Sequence, residues 1–384
     1  MEAYLDNSAT TPCYEEVRDI VVKTMMVDYG NPSAMHNKGV EAEQYIKQAT
    51  KVIAATMKVQ EKEIFFTSGG TESNNWALIG AAMANKRAGM HLITTAIEHP
   101  AISEPMSYLE DQGFRVTRLP VDRQGVISLE DLKAAITEDT ILVSTMYVNN
   151  EIGSVQPITE IGKLVHEVNP KIIYHVDAIQ AYEKYRILPK KMNIDMMSVS
   201  SHKIHGPKGV GFLYINSKIK CNPLILGGGQ QLGMRSGTDN VPGIAGFGEA
   251  VRIGYENLDE KVAKIRNLRE YFVNELEKME DVTVHGMKDN QGAPHIVNAA
   301  FLGVRSEVLL HTLEEKEIYI SAGSACSTHK RSKSPTLTAI GASAEELESS
   351  VRFSFSEWTT KEQLDYCLDT IRQVLPMLRR YARH

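Results

Sequence analysis

Three short stretches carry side chains that could act together on a small molecule. The first is Ser68-Gly69-Gly70-Thr71, between the apolar run EIFFTS (63–68) and a helical stretch. A glycine-rich turn at a helix start exposes backbone N–H groups, and two hydroxyls beside them make an anion site. The plainer reading is a tight turn with Thr71 as an ordinary helix cap. The second is Asp177, which ends the apolar run YHVD. A carboxylate there lies where α/β proteins bind ligands; it can hold a cationic ring nitrogen or a metal, or cap the next helix. The third is Lys203, set between two histidines after Ser200 and Ser201, and 26 residues beyond Asp177. Its amine can form a Schiff base where desolvation or nearby cations depress its pKa; otherwise it is a solvated loop lysine. Together the three supply what pyridoxal phosphate requires: a phosphate cradle, an acid for the pyridine nitrogen and a lysine for the aldehyde.

Elements that would position these groups are visible in the hydrophobic pattern. Runs at 63–68, 91–96, 115–121, 141–148, 171–178, 196–200 and 209–215 are continuously apolar rather than alternating, as parallel strands buried on both faces are. Helical stretches such as SLEDLKAAIT (128–137) and TEIGKLVHEV (159–168) lie between them, the first opened by Ser128 with Asp131 three residues on. Strand–helix–strand order predicts an α/β fold with a mainly parallel sheet and right-handed crossovers. Near residue 250 the texture changes. A charged amphipathic helix over about 256–280 leads to a smaller α+β unit with strands near 282–286, 295–302 and 351–356 and a closing helix near 360–380.

Composition removes several alternatives. The 384 residues predict two or three domains. With 42 basic against 48 acidic residues the net charge is −6, so no basic field favours nucleic acid or an anionic membrane surface. The four cysteines, at 13, 221, 326 and 367, form no CxxC pair, which argues against a disulfide framework or a metal site and for a thiol-reducing compartment. No run approaches 18 consecutive apolar residues, and the first dozen residues lack the basic-then-apolar pattern of a secretion signal, so a cytoplasmic location is expected. Motifs of P-loop NTPases, dinucleotide-binding dehydrogenases, zincins and α/β-hydrolases are missing.

Ten ordered blocks carry a closer likeness: LDNSATT (5–11), YGNPSAMH (29–36), FTSGGTESNN (66–75), EHPA (98–101), VNNEIGSVQP (148–157), HVDAIQ (175–180), SSHKIHGPKG (200–209), GGGQQLGMRSGT (227–238), SAGSACS (321–327) and VRFS (351–354). Through them the chain resembles the cysteine desulfurases of the NifS/IscS type, class-V aminotransferase relatives with the fold-type I pyridoxal phosphate architecture. The resemblance implies a large cofactor-binding domain over 13–255 and a small domain of 1–12 plus 256–384, in a homodimer. It assigns Lys203 to the cofactor aldehyde, Asp177 to the ring nitrogen, His99 to stacking and proton movement, and Gln180 to the phenolic oxygen. Gly70, Thr71, Ser200 and His202 would bind the phosphate, with Thr238 reaching it from the neighbouring subunit. Asn150 and Arg352 would hold the substrate carboxylate, Arg352 by its bidentate fork, and Ala9, Thr10 and His36 would line the substrate pocket.

Cys326 separates a desulfurase from an aminotransferase, because only the former needs a thiolate to take sulfur. His329, Lys330, Arg331 and Lys333 follow it closely and favour that thiolate. The implied reaction converts L-cysteine to L-alanine and leaves a persulfide on Cys326, for delivery to an iron–sulfur scaffold or a tRNA-thiolation enzyme. A selenocysteine or cystine lyase, an aminotransferase and a non-catalytic sulfur-trafficking subunit are the rival readings. Two departures from the family pattern stand out: Gln230-Gln231-Leu232 replaces a frequent acidic–basic pair after three glycines, and the chain stops soon after its last helix.

Overall fold

A computed structural model describes residues 1–322 and 334–381, so Cys326 and its basic neighbours lie outside the described residues. Strands β2 (Ile64–Thr67), β3 (His91–Thr95), β4 (Arg115–Leu119), β5 (Thr140–Met146), β6 (Ile173–Asp177), β7 (Met196–Ser200) and β8 (Gly211–Ile215) form one sheet in the order β2-β8-β7-β6-β5-β3-β4. Its apolar runs are continuous because consecutive side chains enter different cores. Phe65, Leu92, Leu142, Ile173, Met196 and Leu213 face one layer, and their neighbours Phe66, Ile93, Val143, Tyr174, Met197 and Phe212 face the other.

Helices cover both layers. On one side lie α3 (Gly70–Asn75), a π-helical turn over Trp76–Gly80, α4 (Ala81–Asn85) and α5 (Pro100–Asp111); on the other lie α1 (Glu15–Met26), α2 (Asn37–Met57), α6 (Leu129–Ala135), α7 (Ile158–Val168) and α8 (Val241–Tyr255). Ser128 caps α6, its Oγ accepting the Asp131 N–H at 3.1 Å, as the sequence suggests. One strand departs from the parallel expectation: β8 runs antiparallel to both β7 and β2. Only residues 201–210, a 3₁₀ turn and the Gly206-Pro207 corner, join β7 to β8, and that is too short for the crossover a parallel pair requires.

A second core forms around β9 (Val282–His285), β10 (Ile296–Phe301), β12 (Ser321–Ala322) and β13 (Ser350–Ser354), an antiparallel sheet in the order β12-β13-β10-β9. Helices α9 (Leu258–Leu276), α10 (Ser306–Glu314) and α13 (Lys361–Tyr381) pack against it, and the short α11 (Pro335–Ala339) and α12 (Ala344–Ser349) precede β13. The chain start belongs to this core: β1 (Ala3–Tyr4) pairs with β11 (Ile318–Tyr319), and Ala3 and Leu5 are fully buried among Phe272, Phe353 and Leu368.

Two histidines inside the fold are held neutral. His175, mid-strand in β6, bridges Ser144 Oγ and Ser198 Oγ at 2.9 Å each, and burial pushes its pKa down to about 3. His205 donates from Nδ1 to the Pro12 carbonyl at 2.8 Å; burial, with Lys184 nearby, pushes it down to about 4. Unfolded histidine titrates near 6.5, so below that pH the unfolded chain binds protons that the folded chain refuses, and stability falls with pH. Between pH 7.5 and 5.5 the pair is expected to remove about 3 kcal/mol, read from urea unfolding midpoints across that range.

Candidate active site

The carboxyl ends of β3, β5, β6 and β7, the Ser68–Thr71 turn and the start of the chain enclose one cavity of 780 Å³. Asp177 lies at its floor, 3% exposed. One carboxylate oxygen accepts from Asn74 Nδ2 at 2.7 Å and the other from the Ile179 N–H at 3.0 Å. The helix-capping alternative open in the sequence is not realised, because turns rather than a helix follow β6 and the Ile179 bond closes one of them. Burial pushes the Asp177 carboxyl up and the neighbouring His99 imidazole down, while the attraction between their charged forms opposes both shifts.

His99 caps α5, its Nδ1 accepting the Ala101 N–H at 3.0 Å. That bond places the ring proton of the neutral imidazole on Nε2. Lys203 ends the 3₁₀ turn after β7, and its Nζ donates to the carbonyls of Ser8 at 2.6 Å and Ala9 at 2.7 Å. Gln180 Nε2 reaches the same Ser8 carbonyl at 3.0 Å. His202, pushed down to about 4 by burial and by the charges of Lys203 and Lys208, is a neutral ring 3.3 Å from Thr10 Oγ1.

The Ser68–Thr71 turn is closely packed. Gly69 holds φ at +148°, a backbone region open mainly to glycine, and a Cβ on Gly70 would stand 2.2 Å from Ile179 Cδ1. Glu72 secures the turn by accepting the Ser68 N–H at 2.7 Å and the Arg235 Nε at 2.9 Å. Arg352, on β13, crosses from the second core. Its Nη1 donates to the Asn150 carbonyl and its Nη2 to Asp6 Oδ1, both at 2.8 Å, while its buried Nε has no partner among the described residues.

The cavity thus brings together Ala9, Gly70, Thr71, His99, Asn150, Asp177, Gln180, Ser200, His202, Lys203 and Arg352. Thr10 stands behind His202. His36, the residue before α2, and Thr238, in the glycine-rich segment before α8, do not line the cavity within one chain. Sequence reasoning missed Ser8, whose carbonyl gathers Lys203 and Gln180, because a backbone acceptor leaves no trace in residue type. It also missed Asn74, which is buried beside Ser73 in a short polar helix, and the Glu72–Arg235 pair, whose partners lie 163 residues apart.

The family model described as Aminotransferase class-V matches residues 3–367. The chain belongs to this family. Within the family it is 41% identical over 379 residues to a protein of Dictyoglomus turgidum named Cysteine desulfurase IscS, covering 98% of this chain and 95% of that one. A solved structure of a NifS-like protein superposes with a TM-score of 0.93 at 36% identity, covering 98% of this chain and all of the other. A structure described as SspA in complex with cysteine superposes with a TM-score of 0.79 at 35% identity, over 93% of this chain and 100% of its own.

The departure at Gln231 has a local role. Its side chain pairs with the exposed edge of β2, accepting the Phe66 N–H at 2.6 Å and donating to the Phe66 carbonyl at 3.0 Å. Those two bonds hold Gln231 and Leu232 at φ values of +48° and +61°, which non-glycine residues seldom adopt. Leu232 is exposed and does not line the cavity. Gln231→Ala removes the acceptor for the Phe66 amide. Hydrogen exchange at that amide is expected to speed up about tenfold, the equivalent of one hydrogen bond.

Proposed function

We infer that this chain is a pyridoxal-phosphate-dependent cysteine desulfurase that releases L-alanine and carries sulfur as a persulfide on Cys326. The observation that carries the reading is the convergence of Lys203, Asp177 and Arg352 on one cavity, in a chain 41% identical to a named cysteine desulfurase.

The donor set fits the cofactor. Thr71, Ser200, His202 and the N–H groups of the glycine turn suit a phosphate, the Asp177 carboxylate suits a protonated ring nitrogen, and the Lys203 amine suits an aldehyde. When bound, pyridoxal phosphate supplies that aldehyde and a conjugated ring that accepts electron density from the substrate Cα.

The chain's own groups do the rest. Arg352 and Asn150 bind the cysteine carboxylate, the orphaned Arg352 Nε gaining an acceptor there. Asp177 holds a proton at the ring nitrogen, and in turn gains a cationic partner for its buried charge. Lys203 Nζ removes the Cα proton and returns one, with His99 carrying protons through Nε2. Cys326 Sγ then bonds to the substrate sulfur as the substrate Cβ–S bond breaks. Cysteine and the enzyme thiol thereby become alanine and the enzyme persulfide, with no outside oxidant. The other thiols are poorly suited to that attack: burial raises the pKa of Cys13 and Cys367 and pushes Cys221 up to about 12.

The finer parts of the reading follow the family resemblance. A homodimer would bring Thr238 to the neighbouring phosphate, and the large and small domains would divide at 255/256. The persulfide would pass to an iron–sulfur scaffold or a tRNA-thiolation enzyme in a reducing cytoplasm. Among the described residues no helix is long and apolar enough to cross a membrane.

Incubation with L-cysteine and pyridoxal phosphate tests the reading, with alanine and sulfide measured. Cys326→Ser is expected to lower alanine formation at least 100-fold while leaving the cofactor absorbance intact. Undiminished alanine from that variant overturns the role of Cys326, and amino transfer to a 2-oxo acid favours the aminotransferase reading instead. Asp177→Asn is expected to lower kcat at least 100-fold with a far smaller change in KM, since its carboxylate acts on the ring rather than on substrate capture.

A further inference from the structure

The large sheet changes direction between β3 and β5: from β3 the chain moves outward to β4, then returns to place β5 on the other side. Their ladder ends at Ile93 and Val143, yet β3 continues to Thr95 against β4 and β5 to Met146 against β6. Beyond Val143 the two strands therefore part, and the Met146 N–H is turned toward the gap. The loops leaving them carry His99 on one side and Asn150 on the other.

Glu98 closes that gap. Its Oε1 accepts the Met146 N–H at 3.0 Å and the Thr95 hydroxyl at 2.6 Å. A second bond, from Asn149 Nδ2 to the Ile97 carbonyl at 2.9 Å, spans the same gap. Glu98 Oε2 is buried, without a partner among the described residues, and the side chain lines the cavity beside Asp177.

We propose that Glu98 is a positioning residue that acts as a neutral acid, splicing the parted ends of β3 and β5 so that His99 and Asp177 keep their spacing while no second carboxylate charge stands directly beside Asp177. An orphaned carboxylate oxygen is poorly accommodated as an anion but acceptable as a hydroxyl. Burial and the Asp177 charge both push Glu98 up, to about 8. The groups around it are Asp177, His99 and the Tyr174 hydroxyl, with Lys203 and Arg352 further along the cavity wall. No step of the proposed reaction requires Glu98 to exchange a proton.

The inference rests on the cofactor reading above, and the test separates the two. Wild type and the variants are loaded with pyridoxal phosphate, and the pH midpoint of the cofactor absorbance band is recorded with kcat and KM for cysteine. Glu98→Ala is expected to lower kcat at least tenfold with KM within threefold, and to weaken cofactor retention. Glu98→Gln, which keeps the acceptor and carries no charge, is expected to restore kcat to within threefold of wild type and the band midpoint to within about 0.3 pH unit. A Gln variant as impaired as the Ala variant, or a midpoint moved by more than one unit, overturns the proposal, as does an Ala variant indistinguishable from wild type. Should Glu98→Ala fail to fold, Thr95→Val serves, since it removes one of the two donors to Oε1. An intermediate loss of kcat supports the proposal, and none overturns it. Absence of any cofactor band in wild type would overturn the functional reading instead.

Discussion

Everything in the cavity is arranged around one costly object, the buried carboxylate of Asp177 at the end of an apolar strand. Taking such a charge out of water costs several kcal/mol unless hydrogen bonds and an opposite charge compensate. The chain provides part of that compensation through Asn74 and the Ile179 N–H. Those contacts fix how the helical run from Gly70 lies against β6, and hence where the Ser68–Thr71 turn stands relative to the carboxylate. A cationic ring nitrogen completes the compensation in the proposed holoenzyme. Stability and chemistry thus demand the same partner.

The surrounding charges follow from that arrangement. The imidazole beside Asp177 is His99, and burial pushes its pKa down, which favours leaving the Asp177 anion for a ligand. Arg352 is the cation brought in from the second core, and Asp6 with the Asn150 carbonyl occupies two of its guanidinium nitrogens. The chain start is another tie between the cores. Leu5 is buried in the second core, while the carbonyls of Ser8 and Ala9, a few residues on, accept Lys203 from the large sheet.

Much of the fold was legible in the pattern of apolar residues. All seven strands of the large sheet lie within the expected runs to about two residues; burial on both faces leaves an unbroken apolar signature in every one but the edge strand β4, whose Arg115 and Arg118 are exposed. The direction of β8 was not legible in the apolar signature, which parallel and antiparallel buried strands share, and only the short connection from β7 carried it. Of the site, Lys203, Asp177 and the glycine turn stand out by residue type at strand ends. Ser8, Asn74 and Glu98 do not, because each acts through a backbone atom or a contact with a distant segment. His36 and Thr238 lie outside the cavity of a single chain, where sequence likeness alone could not place them.

Residue types and their order determined the chemical inventory: a lysine, an acid, a glycine-rich turn with hydroxyls, an arginine on a late strand and one cysteine in a basic segment. They also determined the alternation of buried strands and covering helices, since local periodicity reports which faces meet water. Tertiary structure decided which members of that inventory share one cavity, and in what electrostatic state. Proximity between Asp177 and Asn74, between Lys203 and Ser8, or between Glu98 and Met146 arises only when the sheet assembles, and burial sets protonation only once neighbours from distant segments have closed around a group.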